Sequence, residues 1–134
     1  MLVVDTSAIL EVIAGQRPPP ALAERLTRDE DLHAPHLIDV EMLHALRRLT
    51  LAGALTADRA QDARTDFGDL TIVRYPHEPL ADRAWALRDN LTAYDAVFVA
   101  LAEAMDVPLV TCDARLATAP THRAQVELFE LGDK

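Results

Sequence analysis

MLVVDTSAIL, residues 1–10, opens the chain with three apolar residues that run straight into a carboxylate and two hydroxyls. Residues 2–5 read as a short buried strand, and residues 6–14 as a helix carrying Ile9, Leu10 and Ile13 on one side. Asp5, Thr6 and Ser7 stand at the junction, where each side chain can accept a hydrogen bond from a free N–H of the first helical turn. Taken alone, the stretch is a capped helix. It gains a second meaning from PLVTCDARL, residues 108–116, which repeats the arrangement: apolar strand, Thr111, an acid at Asp113, then a helical turn.

Between these two junctions the pattern alternates. GQRPPP, residues 15–20, breaks the first helix, and a second short helix follows over 21–29 with Leu22 and Leu26 one turn apart. A weak strand is expected at 32–34 and a long helix at 35–52, with Ile38, Met42, Ala45 and Leu49 as its core stripe and Gly53 as its stop. Thr56 caps a helix running to about Phe67, and TIVRY, residues 71–75, has the β-branched content of a strand. Helices are expected at 80–90 and 92–105, a strand at 109–111, a helical turn at 114–117 and a last strand at 126–131. Strands separated by helices pair in parallel, so the expected fold class is α/β, a three-layer α/β/α sandwich around a central, mainly parallel sheet. No repeat or long linker divides the chain, which is expected to form one domain over 1–134.

Composition narrows the function. A net charge of −9 argues against broad attraction to phosphate backbones, so any nucleic-acid contact must be local and helped by cations or arginines. Every basic residue except Lys134 is arginine, the better bidentate phosphate ligand; Arg47, Arg48 and Arg115 are the candidates for such contacts. One cysteine, Cys112, excludes an internal disulfide and any sulfur-based metal site. No export signal is visible, and the longest apolar run, residues 96–102, falls far short of the roughly 18 residues of a membrane span. A soluble, cytoplasmic protein with no membrane partner is expected.

Two further acids interrupt apolar surroundings. Glu41 lies on a polar ridge of the long helix with His44 and Arg48, where solvation or an arginine partner would account for it. Asp95, in TAYDAVFVALA, sits three residues after Thr92 at the start of a helix, a capping-box position usually held by Glu or Gln. In a parallel sheet the C-terminal strand ends share one edge, where open α/β folds bind their ligands, so Asp5 and Asp113 belong to one rim. Were all four acids to meet there, two charges ~5 Å apart would repel by roughly 3 kcal/mol at an effective dielectric near 20. They would have to take up protons or a cation. Oxygen-only ligands favour Mg²⁺ or Mn²⁺ over Zn²⁺, with Thr6, Ser7 and Thr111 orienting the carboxylates or bound water.

VVDTSAIL, Glu41 within VEMLHALRR, TAYDAVFVALAEAM around Asp95 and PLVTCDARL together resemble the PIN-domain nucleases, and among them the VapC-type toxins of bacterial toxin–antitoxin pairs. The likeness covers nearly the whole chain. It implies a PIN-like α/β/α fold and a Mg²⁺- or Mn²⁺-dependent endoribonuclease that leaves a 5′-phosphate and a 3′-hydroxyl. By the same resemblance the catalytic and metal-binding acids are Asp5, Glu41, Asp95 and Asp113, with Thr6 and Thr111 in support. A homodimer, an RNA substrate and a cognate VapB-type antitoxin are implied partners.

Rival readings stay open at this stage. Glu41 and His44 have the Glu-x-x-His spacing of carboxylate di-iron sites, but the chain offers no second such motif. A phosphoacceptor site would need a lysine near Asp5, and the sole lysine is Lys134. The remaining alternative is a catalytically silent PIN-fold module that binds RNA or a protein partner without cutting.

Overall fold

The computed structural model describes residues 1–28 and 31–131. Five strands form one sheet: β1 (Leu2–Val4), β2 (Leu32–Pro35), β3 (Ile72–Tyr75), β4 (Leu109–Thr111) and β5 (Val126–Leu128), in the spatial order β3-β2-β1-β4-β5. All neighbours are parallel; Val3 pairs with His33 on one side and Leu109 on the other. The chain builds outward from β1 through β2 to β3, then returns to lay β4 on the other side of β1. Strand order therefore reverses between β1 and β4, the crevice where doubly wound sheets take their ligands.

The connecting helices are α1 (Thr6–Ala14), α2 (Pro20–Arg28), α3 (Leu37–Leu51), α4 (Ala57–Asp69), α5 (Ala81–Ala86), α6 (Ala93–Met105) and α7 (Ala114–Thr118). Right-handed crossovers send the helices between β1 and β3 to one face and those after β3 to the other. In keeping with this, α1 packs on α3 and α4, while α6 packs on α5 and lies against β1 and β2. The result is the expected three-layer sandwich. Burial explains the strands: Leu2, Val3, Val4, Leu109 and Val110 are fully buried, as continuous apolar runs must be in a sheet covered on both faces. The helix α6 buries Ala96 and Phe98 through Ala102, which accounts for its nearly unbroken apolar sequence. Among the described residues no helix is long and apolar enough to cross a membrane.

Several boundaries differ from expectation for definable reasons. Pro35 closes β2, pairing with Tyr75, so α3 begins at Leu37; its buried stripe takes Leu46, with Leu49 only half-buried. Pro20 is the first residue of α2, where its missing N–H costs nothing, and Asp29, expected to end that helix, lies outside the described residues. The segment expected as one helix over 80–90 is a 3-10 turn at Glu78–Leu80 followed by α5, which stops at Ala86. At that point the Trp85 carbonyl accepts from both the backbone N–H and the guanidinium of Arg88, so it is taken before a continuing helix could use it. The last strand ends at Leu128 because its partner β4 has only three residues; Phe129 makes the final bond, to the Thr111 carbonyl.

His33 on β2 is buried, with Nδ1 2.7 Å from the Tyr75 hydroxyl and, among the described residues, no partner at Nε2. A proton on Nδ1, donated to Tyr75, leaves a bare lone pair at Nε2 and avoids an orphaned N–H, the costlier arrangement.

Candidate active site

Asp5 follows β1 directly and caps α1, its Oδ1 accepting from the Ala8 N–H at 3.2 Å and the Ser7 hydroxyl at 2.7 Å. Its Oδ2 accepts from the Thr111 hydroxyl at 2.7 Å, across the β1–β4 crevice. Thr111 is fully buried and its Oγ1 also accepts from the Asp113 N–H, while Ser7 Oγ accepts from the Cys112 N–H. The capping role read from the sequence is thus real, and it coexists with a second one: the cap is only 6% exposed and stitches the two central strands together at their rim. Burial pushes the Asp5 carboxyl up to about 6; the bonds from Thr111, Ser7 and Ala8 oppose this, and the charge of Asp113 adds to it.

Glu41 reaches the same rim from α3. Its Oε1 accepts a 2.6 Å bond from Thr6 at the start of α1, and the side chain is half-buried. Burial raises its carboxyl above the ordinary range, Thr6 draws it down, and Asp95 raises it again. Asp95 lies in the first turn of α6, where the Thr92 hydroxyl accepts from its N–H at 3.1 Å. Its carboxyl is raised by burial, lowered by Arg115 and raised by Asp113. Asp113 caps α7, taking the Arg115 N–H on Oδ1 at 3.0 Å and the Arg115 guanidinium on Oδ2 at 2.6 Å. That arginine holds Asp113 below the usual carboxylate range.

The four expected acids therefore come together from four places in the chain: the end of β1, α3, α6 and the end of β4. They form a sequence of neighbours, Asp5 to Asp113 to Asp95 to Glu41, each within electrostatic reach of the next. Three of the four carry negative charge that burial opposes. Among the described residues, however, no three His, Cys, Asp or Glu side chains already stand as a group that could hold a metal ion. Both Asp5 oxygens are engaged by hydroxyls and both Asp113 oxygens by Arg115. The donors fit a hard divalent cation by chemistry, being all oxygen and short of positive charge. Asp5, Glu41, Asp95 and Asp113 would hold it once the Asp113 oxygens are released.

Other expected residues lie elsewhere. His44, Arg47 and Arg48 are exposed on α3, and among the described residues no hydrogen bond or ion pair ties them to the acids. Cys112 is beside the site, but burial, Asp5 and Glu11 push its thiol up to about 12, so it stays protonated at neutral pH. Glu11, one turn after Ser7, was not anticipated near the site; its i, i+4 spacing from Ser7 was the available signal. A groove of about 750 Å³ lies between the end of α1 and the α3–α4 turn, lined by Leu10, Glu11, Ala14, Leu49, Leu55 and Arg59 among others, and includes none of the four acids.

Thr92 gives a local test. Thr92→Ala and Thr56→Ala each remove one helix cap and should each cost about 1 kcal/mol in urea unfolding. Only Thr92→Ala is expected to disturb the acid cluster as well, because only α6 carries Asp95.

Comparison with known proteins agrees with this arrangement. A protein-family profile described as PIN domain matches residues 2–121. The chain belongs to the PIN-domain family. Ribonuclease VapC1 of Mycobacterium tuberculosis is 42% identical to this PIN domain over 127 residues, covering 94% of this chain and 96% of that protein. Ribonuclease VapC12 of the same organism is 38% identical over 128 residues, covering 96% and 98%. Among solved structures, VapBC2 from Rickettsia felis, bound to a DNA fragment from their promoter, matches with a TM-score of 0.69, covering 96% of this chain and 98% of that one. At 13% identity that match speaks to the fold alone.

Proposed function

We propose that this PIN domain is a metal-dependent endoribonuclease of the VapC type, the toxin of a toxin–antitoxin pair, hydrolysing RNA phosphodiester bonds. The observation that carries the reading is the meeting of Asp5, Glu41, Asp95 and Asp113 at the β1–β4 switch point, with burial opposing the charge on three of them. The two Mycobacterium tuberculosis relatives are named ribonucleases, which supports the same reaction here.

When bound, Mg²⁺ or Mn²⁺ supplies a Lewis acid for the phosphodiester and lowers the pKa of attacking water. The chain's own groups supply position. Ser7 and Thr111 fix both oxygens of Asp5, so that carboxylate reaches the reaction already oriented. Thr6 occupies Oε1 of Glu41 and leaves Oε2 as an acceptor for water or its proton. Asp95, whose carboxyl burial raises above the ordinary range, is a second proton-accepting group at the rim. RNA would approach at this rim and not over the acidic surface, so cleavage should weaken with salt. A VapB-type antitoxin partner, a homodimer and a cytoplasmic location follow from the VapC reading.

The test is incubation with mixed cellular RNA while Mg²⁺ or Mn²⁺ is titrated from a chelated start. Cleavage should be absent in chelator, appear with metal and leave 5′-phosphate ends, and induced expression should arrest growth unless a small cognate partner is coexpressed. Metal-independent RNA binding without cutting would favour the silent-module reading.

A further inference from the structure

The guanidinium of Arg115 has an unusual location for a side chain that is 74% exposed. Its Nη2 lies 2.6 Å from Asp113 Oδ2 and 3.7 Å from Asp95 Oδ2, and its Nε lies 3.1 Å from each Asp113 oxygen. It thus bridges two of the four acids that would hold a cation. A +1 group on those oxygens and a +2 ion sharing them would repel each other strongly, so the two cannot occupy the same carboxylates together.

Asp113 is held in two separable ways. The Arg115 backbone N–H fixes Oδ1 as the cap of α7, independently of where the side chain points. Withdrawing the guanidinium would free Oδ2 while leaving the cap in place. An exposed arginine stem can swing into water at little cost, since solvated ion pairs are individually weak.

We propose that Arg115 is the resident counter-ion of this site: its guanidinium neutralises Asp113 and Asp95 in the metal-free protein and must be displaced for a divalent cation to bind. This rests on the reading of the acids as a cation site, and it makes Arg115 a positioning residue that acts through two carboxylates. It also fits the absence, among the described residues, of a group already able to hold a metal: Asp113 and Asp95 are braced on an arginine in place of one another. Arg115 thereby sets a threshold, so that the carboxylates are kept apart from low concentrations of cation.

The experiment is calorimetric titration of Mn²⁺ into the full chain without RNA, for the parent and for Arg115→Gln and Arg115→Lys, with thermal unfolding in chelator and in Mn²⁺. Arg115→Gln should bind Mn²⁺ about threefold to tenfold more tightly, the modest range reflecting the exposure of the pair. Arg115→Lys, a cation without the bidentate fork, should fall between the two. Unfolding should cross over: Arg115→Gln melts below the parent in chelator and at or above it in saturating Mn²⁺. Equal or weaker Mn²⁺ binding in Arg115→Gln would overturn the proposal, since an arginine that merely props Asp113 would have that effect. A parent chain that binds no Mn²⁺ would overturn both this proposal and the cation-site reading beneath it.

Discussion

Asp5→Asn is expected to cut RNA cleavage by about a thousandfold, on the scale seen when a group acting on the transition state is lost. The same change should make the chain more stable at neutral pH. In the folded protein burial lifts Asp5 from 3.8 to about 6, so the native state holds that proton more tightly than the unfolded chain does. A raised carboxyl therefore costs stability above pH 6, and the cost fades as pH falls from 6 towards 3.8. A shift of about two units corresponds to about 3 kcal/mol. The amide of Asn can keep the Ser7 and Ala8 contacts but must turn its NH₂ toward Thr111, giving back about 1 kcal/mol. In chelator at pH 8, Asp5→Asn should therefore be about 1–2 kcal/mol more stable than the parent by urea unfolding, and the difference should vanish near pH 4. Loss of activity with a gain in stability is the signature of a site whose charge strains the fold. A variant that is inactive because it is unfolded would show the opposite stability change.

Phe98→Ala is expected to destabilise the chain by about 3–5 kcal/mol, a large share of the roughly 5–15 kcal/mol that holds such a domain together. Phe98 is 2% exposed on α6, the helix that crosses β1 and β2 and delivers Asp95 to the rim. Its removal leaves a cavity in the buried core that α6 helps to form. Urea midpoints should fall well below those of the parent, whereas Leu51→Ala, at a position 70% exposed, should change stability by less than about 0.5 kcal/mol. A loss under 1 kcal/mol in Phe98→Ala would mean that α6 is not seated as described.

Much of this was legible in the residues because the same atoms serve two purposes. Asp5 and Asp113 follow apolar strands and cap the next helix, so strand, cap and rim acid are all written in a few letters. Thr56 and Thr92 capped the helices expected of them. The expectation that Glu41 and Asp95 join Asp5 and Asp113 needed the topology: only the β1–β4 reversal brings α3 and α6 to that edge. The residues could not show that Oδ1 and Oδ2 of Asp113 would both be taken by an arginine two positions on, because side-chain direction is decided by packing and charge at the rim. Nor could periodicity foresee the break after Ala86, where Leu80, Ala84, Leu87 and Leu91 keep helical spacing while Arg88 takes the Trp85 carbonyl.

The central claim is that acids from four parts of the chain share one divalent cation at the β1–β4 edge. It is tested most directly by soaking crystals of the parent chain with Mn²⁺ and recording anomalous scattering at the manganese edge. The account predicts a peak among the carboxylates of Asp5, Glu41, Asp95 and Asp113. A saturating soak whose only peaks lie away from these side chains would contradict it.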